Sequence, residues 1–300
     1  MTCYHPLSAW RVEGQSALMF SYPNTRKFYI REALEVPCGQ CIGCRLERSR
    51  QWAIRCIHEA QLHEKNCFIT LTYAPEHLPN PPTLVLSHWQ KFMKRLRKRY
   101  GSKIRFFHCG EYGEKFRRPH YHACLFNHDF PDKKLWKVVN GQNYYISEQL
   151  NELWPFGFST IGEVTFESAA YVARYILKKQ TGDGAHDYYT HVDPATGEWS
   201  EIRPEYVTMS RRPGIAAGWF EKYRADVYPH DYVVVRGRKM RPPKFYDRRL
   251  QALSLPDYEE VQMLRHIEAQ KYVDNCTEER LAVREAVQEA RLKQLPRSLE

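Results

Sequence analysis

The sequence predicts an α+β protein, with an antiparallel sheet flanked by helices, a cysteine-rich segment before it and helices after it. Two strand-like runs, residues 103–112 and 120–126, are separated only by the basic turn 113–119, so they read as an antiparallel hairpin. Leu46, Trp52, Ile54, Ile57 and Leu62 interleave with charges through residues 42–65, the pattern of an amphipathic helix. A charged helical pattern fills residues 255–295.

Taken in chain order, residues 1–37 read as irregular, with short extended pieces such as 27–31, and lead into the helix over 42–65. Residues 67–73 are rich in β-branched and aromatic side chains and stop before Pro75, which predicts a strand. After a loop at 79–82, Ser87 is the expected cap of a helix over 88–100 that Gly101 terminates. Beyond the hairpin, a helix over 147–153 precedes a strand over 158–164, and a helix over 166–179 carries Tyr171 and Tyr175. Residues 182–201, with their glycines and Asp193-Pro194, read as a mobile loop, and 213–223 as a short helix. The final segment divides into two helices near Asn275.

The 300 residues carry a formal net charge of +10, 43% hydrophobic and 14% aromatic side chains, enough for a sizeable core. Basic residues cluster at 94–99, 115–118 and 236–241. Such clusters favour a polyanionic partner through counterion release, and the interleaved rings of Tyr112, Phe116 and Tyr121 favour nucleic acid, whose bases stack on them. No run approaches the roughly 18 apolar residues of a membrane span, and the first residues lack a signal-peptide pattern. Nine cysteines, three of them within seven positions, suit thiolate metal binding in a reducing compartment, so a cytoplasmic protein is expected.

His120 and His122 flank Tyr121 in an apolar run, and in a strand they project to one face while Tyr121, Ala123 and Leu125 face a core. Two imidazoles at this spacing hold one divalent ion together, and Glu111 on the partner strand completes a facial set of three ligands. Mg²⁺ or Mn²⁺ is expected there, acting as a Lewis acid on a phosphate. His108 competes as third ligand, but alternation puts it on the face opposite Glu111. In a helix Tyr171 and Tyr175 share a face, a pair of phenols whose nucleophilicity Lys178, three positions on, supports by stabilising phenolate.

This combination resembles the HUH endonuclease superfamily, in which two histidines flank a hydrophobic residue. Histidines before the tyrosine helix is the order of rolling-circle initiators, whereas conjugative relaxases reverse it. Phe68-Ile69-Thr70-Leu71-Thr72-Tyr73 looks like the group's first strand motif, and Ala170-Tyr171-Val172-Ala173-Arg174-Tyr175-Ile176-Leu177-Lys178-Lys179 resembles the two-tyrosine motif of microvirus initiators. Pro37-Cys38-Gly39-Gln40-Cys41-Ile42-Gly43-Cys44-Arg45, Gly110-Glu111-Tyr112-Gly113 and Ser210-Arg211-Arg212-Pro213-Gly214-Ile215 extend the likeness to the initiators of gokushoviruses, over roughly residues 3–250.

The resemblance implies a ferredoxin-like antiparallel sheet with the histidines on a central strand. It implies nicking of one strand of a supercoiled replicative form, a 5′-phosphotyrosine link, priming of host DNA polymerase by the freed 3′ hydroxyl, a host helicase, and resealing of a single-stranded circle, with either tyrosine acting first. The setting it implies is the cytoplasm of the bacterial host. On this reading residues 66–182 form the endonuclease core, 1–65 a cysteine-rich segment and helix, 183–250 a basic accessory region and 251–300 a helical segment. Candidate DNA contacts are Lys115, Arg117, Arg118, Arg174, Lys179, Arg211 and Arg212, with a further basic patch at 236–241.

Cys38, Cys41 and Cys44 form Cys-x-x-Cys-x-x-Cys, a structural zinc signal, with Cys3 or His5 as fourth ligand; the spacing matches no common iron–sulfur pattern. Cys56, Cys67, Cys109, Cys124 and Cys276 are expected as packing residues. Two other readings keep the nucleic acid: a non-enzymatic zinc-containing binding protein, and an HUH transposase acting on hairpin ends.

Overall fold

The computed structural model describes residues 3–113, 116–175, 184–193 and 195–294, with Arg174 and Tyr175 described by their backbone alone. The strands are β1 (Leu7–Val12), β2 (Ile30–Val36), β3 (Asn66–Thr72), β4 (Arg105–Tyr112), β5 (Pro119–Phe126), β6 (Lys134–Val139), β7 (Gln142–Ile146), β8 (Ser159–Gly162), β9 (Thr190–Val192), β10 (Trp199–Glu201), β11 (Tyr206–Met209), β12 (Val233–Val235) and β13 (Arg238–Met240). The helices are α1 (Ile42–Ala60), α2 (Leu86–Tyr100), α3 (Glu148–Leu153), α4 (Phe166–Tyr175), α5 (Ala185–Tyr188), α6 (Ala217–Val227), α7 (Lys244–Leu253), α8 (Leu255–Gln270) and α9 (Glu278–Gln294). The chain divides into two compact units, one of Met1–Arg48 with Leu250–Glu300, the other Ser49–Arg249.

The larger unit is built on an antiparallel sheet of seven strands in the order β11-β4-β5-β3-β8-β7-β6. This is the expected α+β class. Strand alternation sends Ile69, Leu71, Tyr121, Ala123, Leu125 and Ile161 to one face. There they pack on Trp89, Phe92, Met93 and Leu96 of α2 and on Leu150, Leu153 and Trp154. Each such side chain contributes roughly 1.5–3 kcal/mol by leaving water. Tyr121 keeps its hydroxyl satisfied in this core, accepting from Val85 N at 2.8 Å and meeting Tyr73 Oη at 2.9 Å. The opposite face carries Glu111, His120 and His122 and is covered at β4 and β5 by α1 and α4. Trp52 of α1 stacks on Phe107 at 4.7 Å, and Ser49 Oγ donates to Ala170 O of α4 at 2.9 Å.

Three local expectations change. Residues 7–12 and 30–36 pair as a hairpin (β1–β2) instead of staying irregular, with Leu7 opposite Val36 and Ala33 opposite Trp10. Helix α2 starts at Leu86, with Val85 at its N-cap and no side-chain cap, so Ser87 falls inside the first turn. The Tyr121 hydroxyl fixes the approach to this helix by bonding the Val85 backbone, which replaces the serine cap. Within the expected loop at 182–201, the described residues hold α5 and the β9–β10 hairpin. Asp193 Oδ1 accepts from Ala195 N at 2.8 Å to start its turn, and buried Tyr189 donates to Glu205 Oε2 at 2.5 Å.

Behind the site face, α1 packs on α6 and α7 through His58, which stacks on Trp219 at 3.5 Å and bonds the Tyr246 hydroxyl through Nδ1 at 2.7 Å. Burial pushes the His58 pKa down to about 3. As the pH falls below about 6.5, the unfolded chain takes up a proton that the folded chain refuses, so this stability is full above 6.5 and is lost towards 3. At pH 5 the loss is about 2 kcal/mol relative to pH 7. Urea unfolding should show His58→Gln losing less stability between pH 7 and pH 5 than the parent, by about that amount.

Candidate metal and nucleophile site

The register of β4 on β5 places Glu111 directly opposite His120 and Cys109 opposite His122, so the carboxylate and both imidazoles share one face. All three are buried, Glu111 to 1% exposure. Glu111 Oε1 lies 2.8 Å from His120 Nε2 and 2.7 Å from His122 Nε2.

The other ring nitrogens are held from behind. His120 Nδ1 lies 3.1 Å from Arg118 O, and a carbonyl only accepts, so Nδ1 carries the hydrogen. A neutral His120 then presents a lone pair at Nε2, facing a carboxylate oxygen. Two acceptors that close need a cation between or beside them. His122 Nδ1 pairs with Thr70 Oγ1 at 2.9 Å, again turning Nε2 inward. Burial pushes the Glu111 carboxyl pKa up, but its hydrogen bonds with His120 and His122 outweigh that and hold it below the ordinary value. Glu111 Oε2 is buried with no hydrogen-bond partner among the described residues. A carboxylate held ionised, an unused oxygen and two oriented imidazoles fit a divalent ion, and the three ligand atoms lie within 4.8 Å of one another.

His108 is on the far face, stacked on Trp89 at 3.7 Å and bonded through Nδ1 to Thr208 Oγ1 at 2.9 Å. Burial pushes its pKa well below the usual histidine value, and it has no part in the triad.

Helix α4 brings the nucleophile candidate. Thr165 and Ser168 cap it reciprocally, Ser168 N donating to Thr165 Oγ1 at 3.1 Å and Thr165 N to Ser168 Oγ at 2.8 Å. One turn further on, Tyr171 is buried, its ring edge-on to His122 at 5.1 Å and its hydroxyl donating to Glu111 Oε1 at 3.4 Å. Tyr175 follows by one helical turn on the same backbone. The side chains of Arg174 and Tyr175, and Lys115, Lys178 and Lys179 entirely, lie outside the described residues.

The basic candidates are spread around this face. Arg118 Nη2 donates to Tyr73 O at 2.8 Å, and Arg117 lies over the Tyr188 ring at 4.5 Å while donating to Tyr188 O at 2.7 Å. Arg236 forms a two-pronged ion pair with Glu167 in the first turn of α4, and Arg211 and Arg212 are exposed. Sequence reasoning missed the Arg118 carbonyl, a backbone role that leaves no residue signal. It also missed Thr70, which alternation along 66–72 does reveal.

In the smaller unit the four cysteines converge. Cys3 Sγ lies 3.6 Å from Cys38 Sγ and 3.8 Å from Cys41 Sγ, and all four sulfurs, including Cys44, lie within 4.8 Å of one another. Four thiolates about 2.3 Å from a central zinc would stand about 3.8 Å apart. Backbone N–H groups point at the sulfurs, Cys38 N to Cys3 Sγ at 3.3 Å and Tyr4 N to Cys41 Sγ at 3.4 Å. Burial pushes the Cys41 thiol up, but the N–H groups of Tyr4 and Cys44 outweigh it and bring the pKa down to about 6. Cys3 is therefore the fourth member; His5 Nε2 lies 2.6 Å from Glu285 Oε2 instead.

A family described as replication-associated protein ORF2 matches residues 66–180. Replication-associated protein ORF2 of Spiroplasma virus 4 is 33% identical over 276 residues, covering 84% of this chain and 81% of that protein. Replication-associated protein VP4 of Bdellovibrio phage phiMH2K is 36% identical over 222 residues, 70% of this chain and 65% of that protein. Replication-associated protein ORF4 of Chlamydia phage 1 is 31% identical over 233 residues, 75% and 55% respectively. No solved structure matches the chain. Among the described residues, no helix is long and apolar enough to cross a membrane.

Proposed function

The chain belongs to the family of phage replication-associated proteins, and from that membership we propose that it initiates rolling-circle replication of a small circular single-stranded DNA phage. It nicks the origin strand of supercoiled double-stranded DNA, and later rejoins single-stranded DNA into a circle, in the cytoplasm of the bacterial host. The nicking chemistry belongs to residues 66–182, whose sheet we read as the ferredoxin-like form of the HUH endonucleases, with 1–65, 183–250 and 251–300 as accessory segments. The observation that carries this reading is the convergence of Glu111 Oε1, His120 Nε2 and His122 Nε2 with the Tyr171 hydroxyl 3.4 Å from that same oxygen.

Glu111, His120 and His122 hold Mg²⁺ or Mn²⁺, which when bound supplies Lewis-acid polarisation of the scissile phosphate. Arg118 O and Thr70 Oγ1 keep both imidazoles aimed. Tyr171 attacks phosphorus: its O–P bond forms as the P–O3′ bond breaks, and the phenol's proton ends on the departing 3′ oxygen. One phosphoester replaces another, so joining needs no further energy source. Tyr175, one turn along α4, performs the second cleavage, and Lys178 stabilises phenolate. Host polymerase extends the 3′ hydroxyl, and a host helicase opens the duplex. Arg117, Arg118, Arg174, Arg211, Arg212, Lys115 and Lys179 contact the DNA backbone. Cys3, Cys38, Cys41 and Cys44 hold a structural zinc ion.

Labelled single-stranded origin DNA incubated with protein and Mn²⁺ and run on a denaturing gel tests the reading. The expected result is a shortened 3′-hydroxyl product plus a protein-linked 5′ fragment, with the link lost in the Tyr171→Phe, Tyr175→Phe variant. Tight, salt-sensitive binding without any cleavage would instead support a non-enzymatic DNA-binding protein.

A further inference from the structure

The site face of the sheet continues past the triad. Strand register sets Thr72 opposite His120, and the chain at Phe158 comes next, its carbonyl accepting from Thr72 N at 2.9 Å and from Thr72 Oγ1 at 2.8 Å. The neighbouring row runs Cys109, His122, Thr70, Thr160. Two strand spacings put Phe158 roughly 10 Å from His120 on the same face. Gly157 makes this bend possible, because a Cβ there would lie 2.3 Å from Ala74 N and 2.6 Å from Thr72 O. Helix α4 packs over β4 and β5, whereas Thr70, Thr72 and Thr160 stay partly exposed. Beyond them Phe158 is 47% exposed and meets Trp136, 45% exposed, edge-on at 5.0 Å. Lys137 Nζ stands 4.5 Å from the Trp136 ring centre.

Two large rings held in contact yet left half in water, beside a lysine and in register with a phosphate-directed site, make a stacking surface with a cation next to it. We propose that single-stranded DNA leaving the nicking site crosses β3 and β8 and stacks bases on Phe158 and Trp136, with Lys137 beside a phosphate. The inference rests on the nicking reading for the direction of the strand. Single-stranded DNA is the occupant because its base faces are open to stacking and its charge complements Lys137, whereas a duplex hides those faces.

Fluorescence anisotropy with labelled oligo-dT, in low salt and without added metal, tests it. Trp136→Ala with Phe158→Ala should weaken single-strand binding about tenfold per ring. Trp136→Phe with Phe158→Tyr should restore most of it, and duplex binding should be unchanged. Wild-type affinity in the double alanine variant would overturn the proposal, as would failure of the wild-type protein to bind oligo-dT. If the wild-type protein never nicks but its binding depends on the two rings, the nicking reading falls and the stacking surface stands.

Discussion

Glu111→Gln should slow origin nicking about a thousandfold while leaving the fold intact. The amide matches the carboxylate in shape but carries no charge, so the triad loses the anion that draws a divalent ion between the imidazoles. Lewis-acid stabilisation of a transferring phosphate is worth several kcal/mol, and about 4 kcal/mol corresponds to that factor. A second readout separates metal loss from other damage. Mn²⁺ at a hundred times its dissociation constant should stabilise the parent by about 2.7 kcal/mol, and Glu111→Gln should show almost none of that gain. Calorimetric melting with and without Mn²⁺ measures it. Equal stabilisation and equal nicking in parent and variant would sink the assignment of Glu111 as ligand.

Metal analysis should find one zinc, and no iron, per chain in protein purified without added zinc, and Cys41→Ser should lose it. Structural zinc binding releases on the order of 10–16 kcal/mol in small zinc-folded peptides, more than the whole stability of most domains. Chelation should therefore unfold the segment that joins Cys3 to Cys38, Cys41 and Cys44, and limited proteolysis should then cut within residues 3–44. The sulfurs stand 3.6 and 3.8 Å apart, far beyond a disulfide bond of about 2.05 Å, so reductant alone should leave the segment intact. Zinc-free wild-type protein with an ordered N-terminal segment would refute the site.

The parts of the fold that were legible in the sequence are those carried by short-range periodicity. Alternation through His120 to Phe126 gave the face of each histidine, and pairing across one turn put Glu111 beside them. The helical spacing of 42–65, 86–100 and the last two helices also stood out. The β6–β7 hairpin went unassigned although Asn140-Gly141, both at positive φ, carries a strong turn signal; its mixed lysine and apolar strands obscured the alternation. Strand β11 pairs with β4 from far along the chain, a long-range contact that no local window registers. In the site itself the ligands were legible because chemistry restricts them to few residue types. The supports behind them were not, because Arg118 acts through a carbonyl that any residue possesses.

The β4–β5 ladder closes through Gly113 N to Arg118 O at 3.0 Å, outside the pair that aligns Glu111 with His120. Lengthening or rewriting the chain between Gly113 and Arg118 therefore leaves strand parity, and with it the ligand geometry, untouched. The segment nearest the histidines is free to diversify, so descendants of one nicking centre can come to recognise different origins while their chemistry stays fixed.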